Sequence, residues 1–540
     1  YGTAGTYFIT IQGDFPRIYF NNGGDAQKLL SVDQWGDVAW ESMGYAFAGC
    51  SNLKILATDA PILSNVTDMY SMFYGASTLN QDISSWDVST VTDMSHMFAH
   101  ATSFNKPLNA WNVGSVTDMS SMFYDASAFN QDLSSWNVIS VTNMDSMFRD
   151  NTVFNQPIGS WNVSNVTTTS SMFYNATSFN QDLSSWTIGS LLDMSWMFAH
   201  ADAFNQPLNS WSVGTVTNMS FVFYDAGVFN QDLSSWSVGN VTNMSNMFNN
   251  ASMFNQDLSA WNVGNVSNMN SMFKNATSFN QNLSAWNVSN LTSATDMFSG
   301  VTLSTPNYDA MLAAWSILTL QNNVPFSGGN SKYCASAVER ASIISTFNWT
   351  ITDGGSCNSF TTTWKTDNAG TSNSTSITIP TTGGGYEYDV DWNNDGTYDE
   401  FGITGDVTHD YGVAGTYTIR IQGLFPRIFF NHDGDRQKIL SVDAWGEMVW
   451  ASMESAFAGA SNLTITATDV PNLSNVTDLS SMFYDAPLVN SPMNSWDVSH
   501  VTNMDSMFNG VTAFNQPLNS WNGANVTNMA GMFLNAGAFN

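Results

Sequence analysis

A period of 25 residues runs through most of the chain and constrains its fold more than any other feature. A Met-Phe dipeptide recurs at this step, with Val222-Phe223 filling one slot, and tryptophan keeps the same step. The recurring side chains are Phe73, Phe98, Phe123, Phe148, Phe173, Phe198, Phe223, Phe248, Phe273 and Phe298, and Trp86, Trp111, Trp136, Trp161, Trp186, Trp211, Trp236, Trp261 and Trp286. Because one such segment cannot bury its own apolar side chains, the segments must stack, which predicts a repeat protein with a continuous core.

Two further periods are superimposed on the first. Tyrosine follows phenylalanine only in alternate segments, at Tyr74, Tyr124, Tyr174 and Tyr224, which gives a weaker period of 50 residues. A period of 410 residues relates residues 411–431 to residues 1–21, Phe483 to Phe73, and Trp521 to Trp111. We therefore expect tandem 410-residue units, of which this chain is a window covering about one and a third.

Each segment combines two apolar spacings. Residues 133–138 alternate apolar and polar side chains, which indicates a short strand. Apolar residues of 141–148 follow helical spacing, with Thr142 as a candidate N-cap. We expect one strand and one short helix or helical turn per segment, with the strands pairing into a parallel sheet. At about 4.8 Å per strand, ten segments would extend for roughly 48 Å.

The recurring pattern is Trp-x-Val-x-x-Val-Thr-x-Met-x-x-Met-Phe-x-x-Ala-x-x-Phe-Asn, within residues 43–358 and 453–540. This pattern resembles the BspA-like leucine-rich-repeat surface proteins of bacteria, although Trp, Val, Met and Phe stand where leucine is usual. The resemblance implies a leucine-rich-repeat-like solenoid with a parallel sheet and short helices. It also implies a cell-surface location and an association with adhesion.

Two columns of equivalent side chains admit both a structural and a binding interpretation. Asparagine recurs at Asn105, Asn130, Asn155, Asn180, Asn205, Asn230, Asn255 and Asn280. These side chains could bond the main chain of the adjacent segment, as buried backbone groups require, or could form a row of ligand contacts. The tryptophans could stack on sugars, but their phase with the core valines favours packing.

The repeats are expected to end in caps. We predict an N-terminal solenoid cap over residues 23–72 and a C-terminal cap over 301–358, which surround the solenoid at 73–300. Cys334 and Cys357 bracket a predicted helix and strand in the second cap. We predict a disulfide between them, which fits an oxidising compartment, and the alternative is two buried thiols.

Residues 359–430 change character, because Gly-rich breaks separate short alternating runs there. This pattern predicts an all-β sandwich. The stretch 409–419 resembles the end of a PKD-like immunoglobulin-like domain, and residues 1–22 resemble the last part of such a domain. The predicted fold class is therefore a repeat solenoid alternating with an immunoglobulin-like sandwich. A second N-terminal cap at 431–482 and the start of a second solenoid at 483–540 complete the predicted domains.

One motif in the predicted sandwich has the spacing of a calcium loop, D-x-N-x-D-G. The candidate ligands are Asp391, Asn393, Asp395, Thr397 through its carbonyl, and Asp399. Oxygen atoms at alternate positions can converge on one hard cation, and Gly396 permits the tight turn. Gly402 stands where an EF-hand loop has its bidentate glutamate, and Glu400 could substitute for it. The alternative is an acidic turn that binds no metal.

Charge and motifs narrow the classes of function. The chain has 13 Lys and Arg against 44 Asp and Glu, so its formal net charge is −31. This balance disfavours nucleic acid and anionic membranes as partners. No apolar run reaches the roughly 18 residues of a membrane span. The six histidines have no zinc-binding spacing, and neither a nucleophile elbow nor a phosphate loop occurs, so we expect no enzyme activity.

Two functions remain as hypotheses. The first is a structural extracellular protein in which tandem 410-residue units form a cell-surface fibre, stalk or filament, through self-association or contacts with matrix components. The alternative is an adhesin that binds a host protein or glycan through the sheet face of the solenoid. The residues that flank each tryptophan are small and polar, whereas a protein-binding face is rich in aromatic side chains and arginine, which favours the first hypothesis.

Overall fold

The computed structural model describes residues 3–540 of the chain. The chain divides into two compact units. The first comprises Tyr1–Lys332 and Val338–Gly354, and the second comprises Tyr333–Ala337 and Gly355–Asn540. Among the described residues, neither α-helix has the length and hydropathy that a transmembrane span requires.

The repeated segments of the first unit are built from turns. Between residues 73 and 300 the backbone contains neither a helix nor a strand of more than one bridging residue. Each segment instead forms a single parallel bridge with the next, as between Asp93 and Asp118. A second main-chain bond accompanies it at the Met-Phe position, where the N–H of Phe98 donates to the carbonyl of Met122 at 2.9 Å. Main-chain hydrogen bonds at a step of about one segment therefore join each segment to its neighbour.

The predicted fold class, a leucine-rich-repeat-like solenoid with short helices and a parallel sheet alternating with an immunoglobulin-like sandwich, is wrong. The helical spacing at 141–148 belongs to consecutive tight turns, in which Ser146 and Asp150 take left-handed φ angles of 56° and 58°. L-residues do not build a right-handed helix with such angles. The N–H of Ser146 also donates to the carbonyl of Ser170 in the next segment, not to its own segment.

Stacked aromatic columns fill the interior of the first unit. Phe123 lies 5.6 Å from Phe98 and 5.7 Å from Phe148, measured between ring centroids, with nearly parallel rings. The nine tryptophans that recur every 25 residues, from Trp86 to Trp286, are at most 4% exposed. The indole N–H of Trp161 donates to the carbonyl of Leu133 at 3.0 Å, a bond that recurs along the column. These indoles are packed and hydrogen-bonded, so they cannot stack on a ligand.

The asparagine column is a ladder. The Oδ1 atom of Asn130 accepts from the main-chain N–H of Asn155 at 3.0 Å and from the Nε2 of Gln156 at 3.0 Å. The same pair of bonds links Asn105 to Asn130 and Gln131. The column therefore fixes the turn of each segment to the next and satisfies main-chain groups, as the structural interpretation requires.

Among the residues of the first unit that the structure describes, regular elements occur only towards its two ends. A 3₁₀-helix at Ala26–Lys28 precedes two short parallel strands, β1 at Ser31–Val32 and β2 at Lys54–Ile55. At the other end, helices α1 and α2 cover Thr305–Ser316 and Ala337–Phe347. Strand β3 at Pro325–Ser327 pairs in parallel with β4 at Thr350–Thr352.

An ion pair stabilises this end of the first unit. The Arg340 guanidinium contacts the nearly buried carboxylate of Asp353, with Nε to Oδ2 at 2.7 Å. The hydroxyl of Tyr308 in α1 donates to the same Oδ2 at 2.8 Å. Tyr308 lies on the buried face of α1 together with Trp315. The pair therefore connects α2, α1 and the residue that follows β4.

The second unit contains small separate sheets. Its strands are β5 at Phe360–Lys365, β6 at Ser376–Ile379, β7 at Glu387–Asp391, β8 at Glu400–Ile403, β9 at Val407–Asp410, β10 at Thr416–Leu424, β11 at Ile439–Ala444 and β12 at Thr464–Ile465. Six of them form one sheet in the order β12-β11-β5-β10-β7-β8, whereas β6 and β9 form an antiparallel pair. Strands from both sides of the predicted boundary at residue 430 thus share one sheet. The domain boundaries themselves stay predictions.

The 25-residue segments reappear within the second unit. Asn503 bridges Asn528 in parallel, and the N–H of Phe483 donates to the carbonyl of Met507 at 3.0 Å. Trp496 and Phe508 are buried in the same cluster as Trp364 and Ile421 of the large sheet. The core of this unit is therefore continuous from its sheet to its repeated segments.

Candidate functional site

The predicted calcium loop begins where strand β7 ends. Asp391 is fully buried, and its carboxylate accepts three main-chain N–H groups. Oδ1 accepts from Asn393 and Asp395, each at 3.3 Å, and Oδ2 accepts from Gly396 at 2.9 Å. Gly396 has a φ of 91°, a conformation that favours glycine, so the tight turn depends on it.

The other proposed ligands lie around this carboxylate and are exposed. Oδ1 of Asn393 accepts from the N–H of Asp395 at 3.0 Å, and Oδ1 of Asp395 accepts from the N–H of Thr397 at 2.8 Å. Oδ2 of Asp399 accepts from the N–H of Trp392 at 2.8 Å. All five proposed residues therefore share one tight loop, and each side-chain oxygen named here already bonds the loop's main chain.

This geometry is that of a series of Asx turns, which hold their shape without a metal ion. Calcium takes six to eight oxygen ligands, which would have to come from the free oxygens of the exposed side chains and from carbonyls. Within residues 3–540, no three His, Cys, Asp or Glu side chains lie in an arrangement that could hold a metal ion. Calcium binding by this loop stays a prediction.

A polar cleft of about 650 Å³ adjoins the loop in the second unit. Its walls include Tyr398 of the loop, Arg420 and Gln422 of β10, and Asp443 of β11. The Asp443 carboxylate accepts the hydroxyl groups of Thr363 and of Thr466, both at 2.6 Å. The lining contains neither a histidine nor a free thiol, and its other polar side chains include hydroxyl groups and carboxylates, such as Ser359 and Asp469.

The three cysteines have different environments. Cys334 and Cys357 form a disulfide in the structure, with their Cα atoms 5.2 Å apart. Cys50 is a buried free thiol, and burial raises its pKa to about 12. Since the thiolate is the reactive species, Cys50 is chemically inert at neutral pH.

A half-buried row of aromatic and basic side chains follows one edge of the repeated segments. We call this row the aromatic ribbon, and it consists of Tyr74, His100, Tyr124, Arg149, Tyr174, His200 and Tyr224. The His100 ring centroid lies 5.1 Å from that of Tyr74 and 4.8 Å from that of Tyr124. The Arg149 guanidinium lies 4.3 Å from the Tyr174 ring centroid. Tyrosine therefore alternates with a basic side chain along the whole ribbon.

The tight turns on the two sides of each Met-Phe pair position these residues. They place two residues per segment in the left-handed region, for example His96 before Met97-Phe98 and His100 after it, with φ of 55° and 58°. The sequence shows the alternating tyrosines, whereas His100 and His200, which lie 100 residues apart, are accounted for by the repeat alone. The signal that could have identified the ribbon is that Tyr, His and Arg all occupy two adjacent positions of one turn.

The repeated segments match a known family. The family DUF285, described as a Mycoplasma protein of unknown function, matches residues 41–144, 110–211, 131–232, 193–311 and 451–540, which together exceed half of the chain. The chain belongs to the DUF285 family. No curated protein matches it.

The DUF285 matches contain the complete aromatic ribbon. The Asp391–Asp399 loop and the Cys334–Cys357 disulfide lie outside them. Membership of the DUF285 family therefore concerns the repeated segments, and the loop and the disulfide must be interpreted from their own chemistry.

Proposed function

We propose that this DUF285 chain is a structural extracellular protein whose 410-residue units stand in tandem in a cell-surface fibre, stalk or filament. The observation that carries the proposal is the main-chain ladder between segments. The N–H of Phe73 donates to the carbonyl of Met97 at 2.9 Å, and the equivalent bond from Phe483 to Met507 is 3.0 Å. Because every segment presents the same main-chain groups to the next, segments can be added without a new interface, and the same ladder recurs 410 residues later.

Three further observations support this proposal. The recurring Trp and Phe columns are buried, so the repeated residues serve packing. The Cys334–Cys357 disulfide fits an oxidising compartment outside the cytosol. The net charge of −31 favours solubility and disfavours nucleic acid and anionic membranes. Self-association or contact with matrix components would then hold the fibre together.

The alternative hypothesis placed ligand binding on a sheet face of the repeats. Residues 73–300 contain no strand of more than one bridging residue, so no such face exists there. We therefore do not propose an adhesin of that form.

Electron microscopy of native surface material, labelled with antibodies against this chain, tests the proposed function. We expect filaments with an axial repeat set by the 410-residue unit. Cells that carry only isolated short molecules, or label that remains inside intact cells, would overturn the proposal.

A further inference from the structure

The residues of the aromatic ribbon are not required by the packing of the segments. Residues 411–540 repeat the first part of the chain and keep its core, with Phe508 and Trp521 where the first copy has Phe98 and Trp111. At the ribbon positions the second copy differs. Gly510 stands for His100, and Leu534 stands for Tyr124. The same turns therefore form without the ribbon side chains.

The C-terminal end of the ribbon carries two further aromatic side chains, at strained backbone positions. Trp196 and Phe221 both have a φ of 60°, whereas the equivalent residues of three other segments are Ser121, Ser146 and Ser171. A bulky residue in the left-handed region costs conformational free energy. The packing of the core does not require that residue here, because serine occupies the position in other segments. Strain of this kind concentrates at binding sites.

These two side chains extend the aromatic surface. The Trp196 and Phe221 rings are parallel with centroids 3.7 Å apart, and both side chains are half-buried. The Trp196 ring centroid also lies 5.8 Å from those of Tyr174 and Tyr224. Together with His200, these four aromatic side chains form a continuous patch at the C-terminal end of the ribbon.

Each basic side chain of the ribbon lies beside a carboxylate. His100 pairs with Asp125 at 2.8 Å, and His200 pairs with Asp225 at 3.4 Å. Arg149 likewise lies 3.5 Å from the carboxylate of its neighbour Asp150. In a chain with a net charge of −31, this strip therefore has no surplus of positive charge that would select a polyanion.

The tyrosine hydroxyl groups of the ribbon remain available. Within the described part of the chain, no hydrogen bond involves the side-chain hydroxyl of Tyr74, Tyr124, Tyr174 or Tyr224. Tyrosine in such a setting offers an apolar ring and a polar tip to the same ligand. A ligand with many hydroxyl groups and apolar C–H faces satisfies both.

Spacing identifies the form of that ligand. The ribbon tyrosines occur in every second segment, which at the spacing of paired parallel strands places them about 10 Å apart. This distance is close to the length of one disaccharide in an extended β-linked polysaccharide. We propose that the aromatic ribbon binds an extended neutral polysaccharide that runs along the stack, with one disaccharide per tyrosine. This site is independent of the proposed fibre function.

Affinity electrophoresis and titration calorimetry of the full chain test the site. The probes are soluble hydroxyethyl cellulose, xylan and galactomannan, neutral β-linked oligosaccharides of increasing length, a sulfated polysaccharide, and gelatin as a protein surface. We expect binding to at least one neutral β-linked polymer, with affinity rising up to about four disaccharides, one for each ribbon tyrosine. Binding to none of the neutral polymers, or only to gelatin or the sulfated polymer, would overturn the proposal.

The test variants carry residues that occur at equivalent positions elsewhere in the chain. A loss of binding can therefore be distinguished from a loss of folding. Trp196→Ser introduces the residue of three equivalent segments, and the double variant His100→Gly with Tyr124→Leu introduces the residues of the second copy. Each should weaken binding about tenfold without lowering the melting temperature. Tyr484→Ala is the matched control, because Tyr484 is the counterpart of Tyr74 in the copy that lacks the ribbon, and its affinity should be unchanged. Unchanged affinity in both ribbon variants, or equal loss in the control, would refute the assignment.

Discussion

At the scale of single residues, the left-handed positions of the repeats decide which side chains reach the surface. Most segments place Ser, Asn or Asp there, including Ser121, Asp150 and Asn250. Short polar side chains tolerate this region because they can bond the nearby main chain. His100, Trp196 and Phe221 depart from that rule and lie on the aromatic edge. We therefore infer that the residues which depart from this preference for short polar side chains are the best candidates for a functional role.

A single carboxylate within the repeats offers a stability prediction. Burial raises the pKa of Asp145, so its charged form is disfavoured in the folded protein. The equivalent positions carry Ser120, Ser170 and Asn270. At neutral pH, Asp145→Asn should stabilise the protein by about 0.5 kcal/mol, or roughly 2 °C in melting temperature.

The sign of the pH dependence follows from the raised pKa. The penalty of Asp145 is complete above its folded pKa and vanishes as the pH falls below the unfolded value of 3.8, where the group is protonated in both states. The advantage of Asp145→Asn, measured by thermal melting from neutral to acidic pH, should therefore shrink on acidification. A variant that is less stable than the wild type at neutral pH would contradict this account.

At the scale of elements, the sequence predicts which residues are equivalent but not the conformation that joins them. The spacing of apolar residues at 141–148 is typical of an amphipathic helix. Ser146 and Asp150, however, adopt left-handed backbone conformations, which interrupt a right-handed helix. Neither residue is glycine, and the only turn signal in the pattern is the glycine that replaces Asp150 in a few segments, as at Gly75 and Gly300. The helices at Thr305–Ser316 and Ala337–Phe347, in contrast, occupy non-repeating sequence where helical spacing indicates a helix.

The aromatic ribbon cannot be recognised from the sequence for a related reason. His100 is the second residue after its Met-Phe pair, whereas Tyr124 is the first, so the two positions are not equivalent in the repeat. They come together because the main-chain ladder sets the register of successive turns: the N–H of His100 donates to the carbonyl of Tyr124 at 2.8 Å. A linear pattern could not show that pairing.

Two substitutions in the Asp391 loop distinguish the effect of metal binding on stability from the effect of the loop's own hydrogen bonds. Asp391→Ala leaves three main-chain N–H groups without their acceptor and should cost about 1–3 kcal/mol, whether or not calcium is present. Asp395→Ala removes an exposed carboxylate with one such bond and should cost about 0.5 kcal/mol. The free energy of unfolding in chelator measures both effects.

Calcium should then raise the melting temperature of the wild type relative to chelator, and Asp395→Ala should abolish that increase. A wild-type melting temperature that is identical in calcium and in chelator would remove the proposed metal site. The structural effect of Asp391→Ala would remain, because it depends on main-chain bonds alone.

At the scale of the whole molecule, the repeated segments behave as interchangeable parts. Removal of residues 237–261 joins Trp236 to Asn262 and restores the Trp-Asn-Val pattern one segment earlier. Because each segment contacts only its neighbours, we expect this deletion to retain a cooperative thermal transition within a few degrees of the wild type.

A shorter deletion supplies the control. Deletion of residues 237–249 removes about half of a segment, so residues of different repeat positions are brought into register. Thermal melting followed by circular dichroism should then show an unfolding transition at a much lower temperature, or none. Equal destabilisation by both deletions would contradict the segment as the unit of stability.

The main-chain ladder also has a mechanical consequence. Bonds such as that from Phe148 to Met172 link residues about one segment apart, so the chain between them forms a short loop that can open alone. Under load, we expect the stack to yield one segment at a time, and each segment would release roughly 80 Å of extended chain. Since the lost contacts are local in sequence, each segment can reform quickly when the load falls. Such a stack dissipates tension in small reversible steps, where a single cooperative core would rupture once.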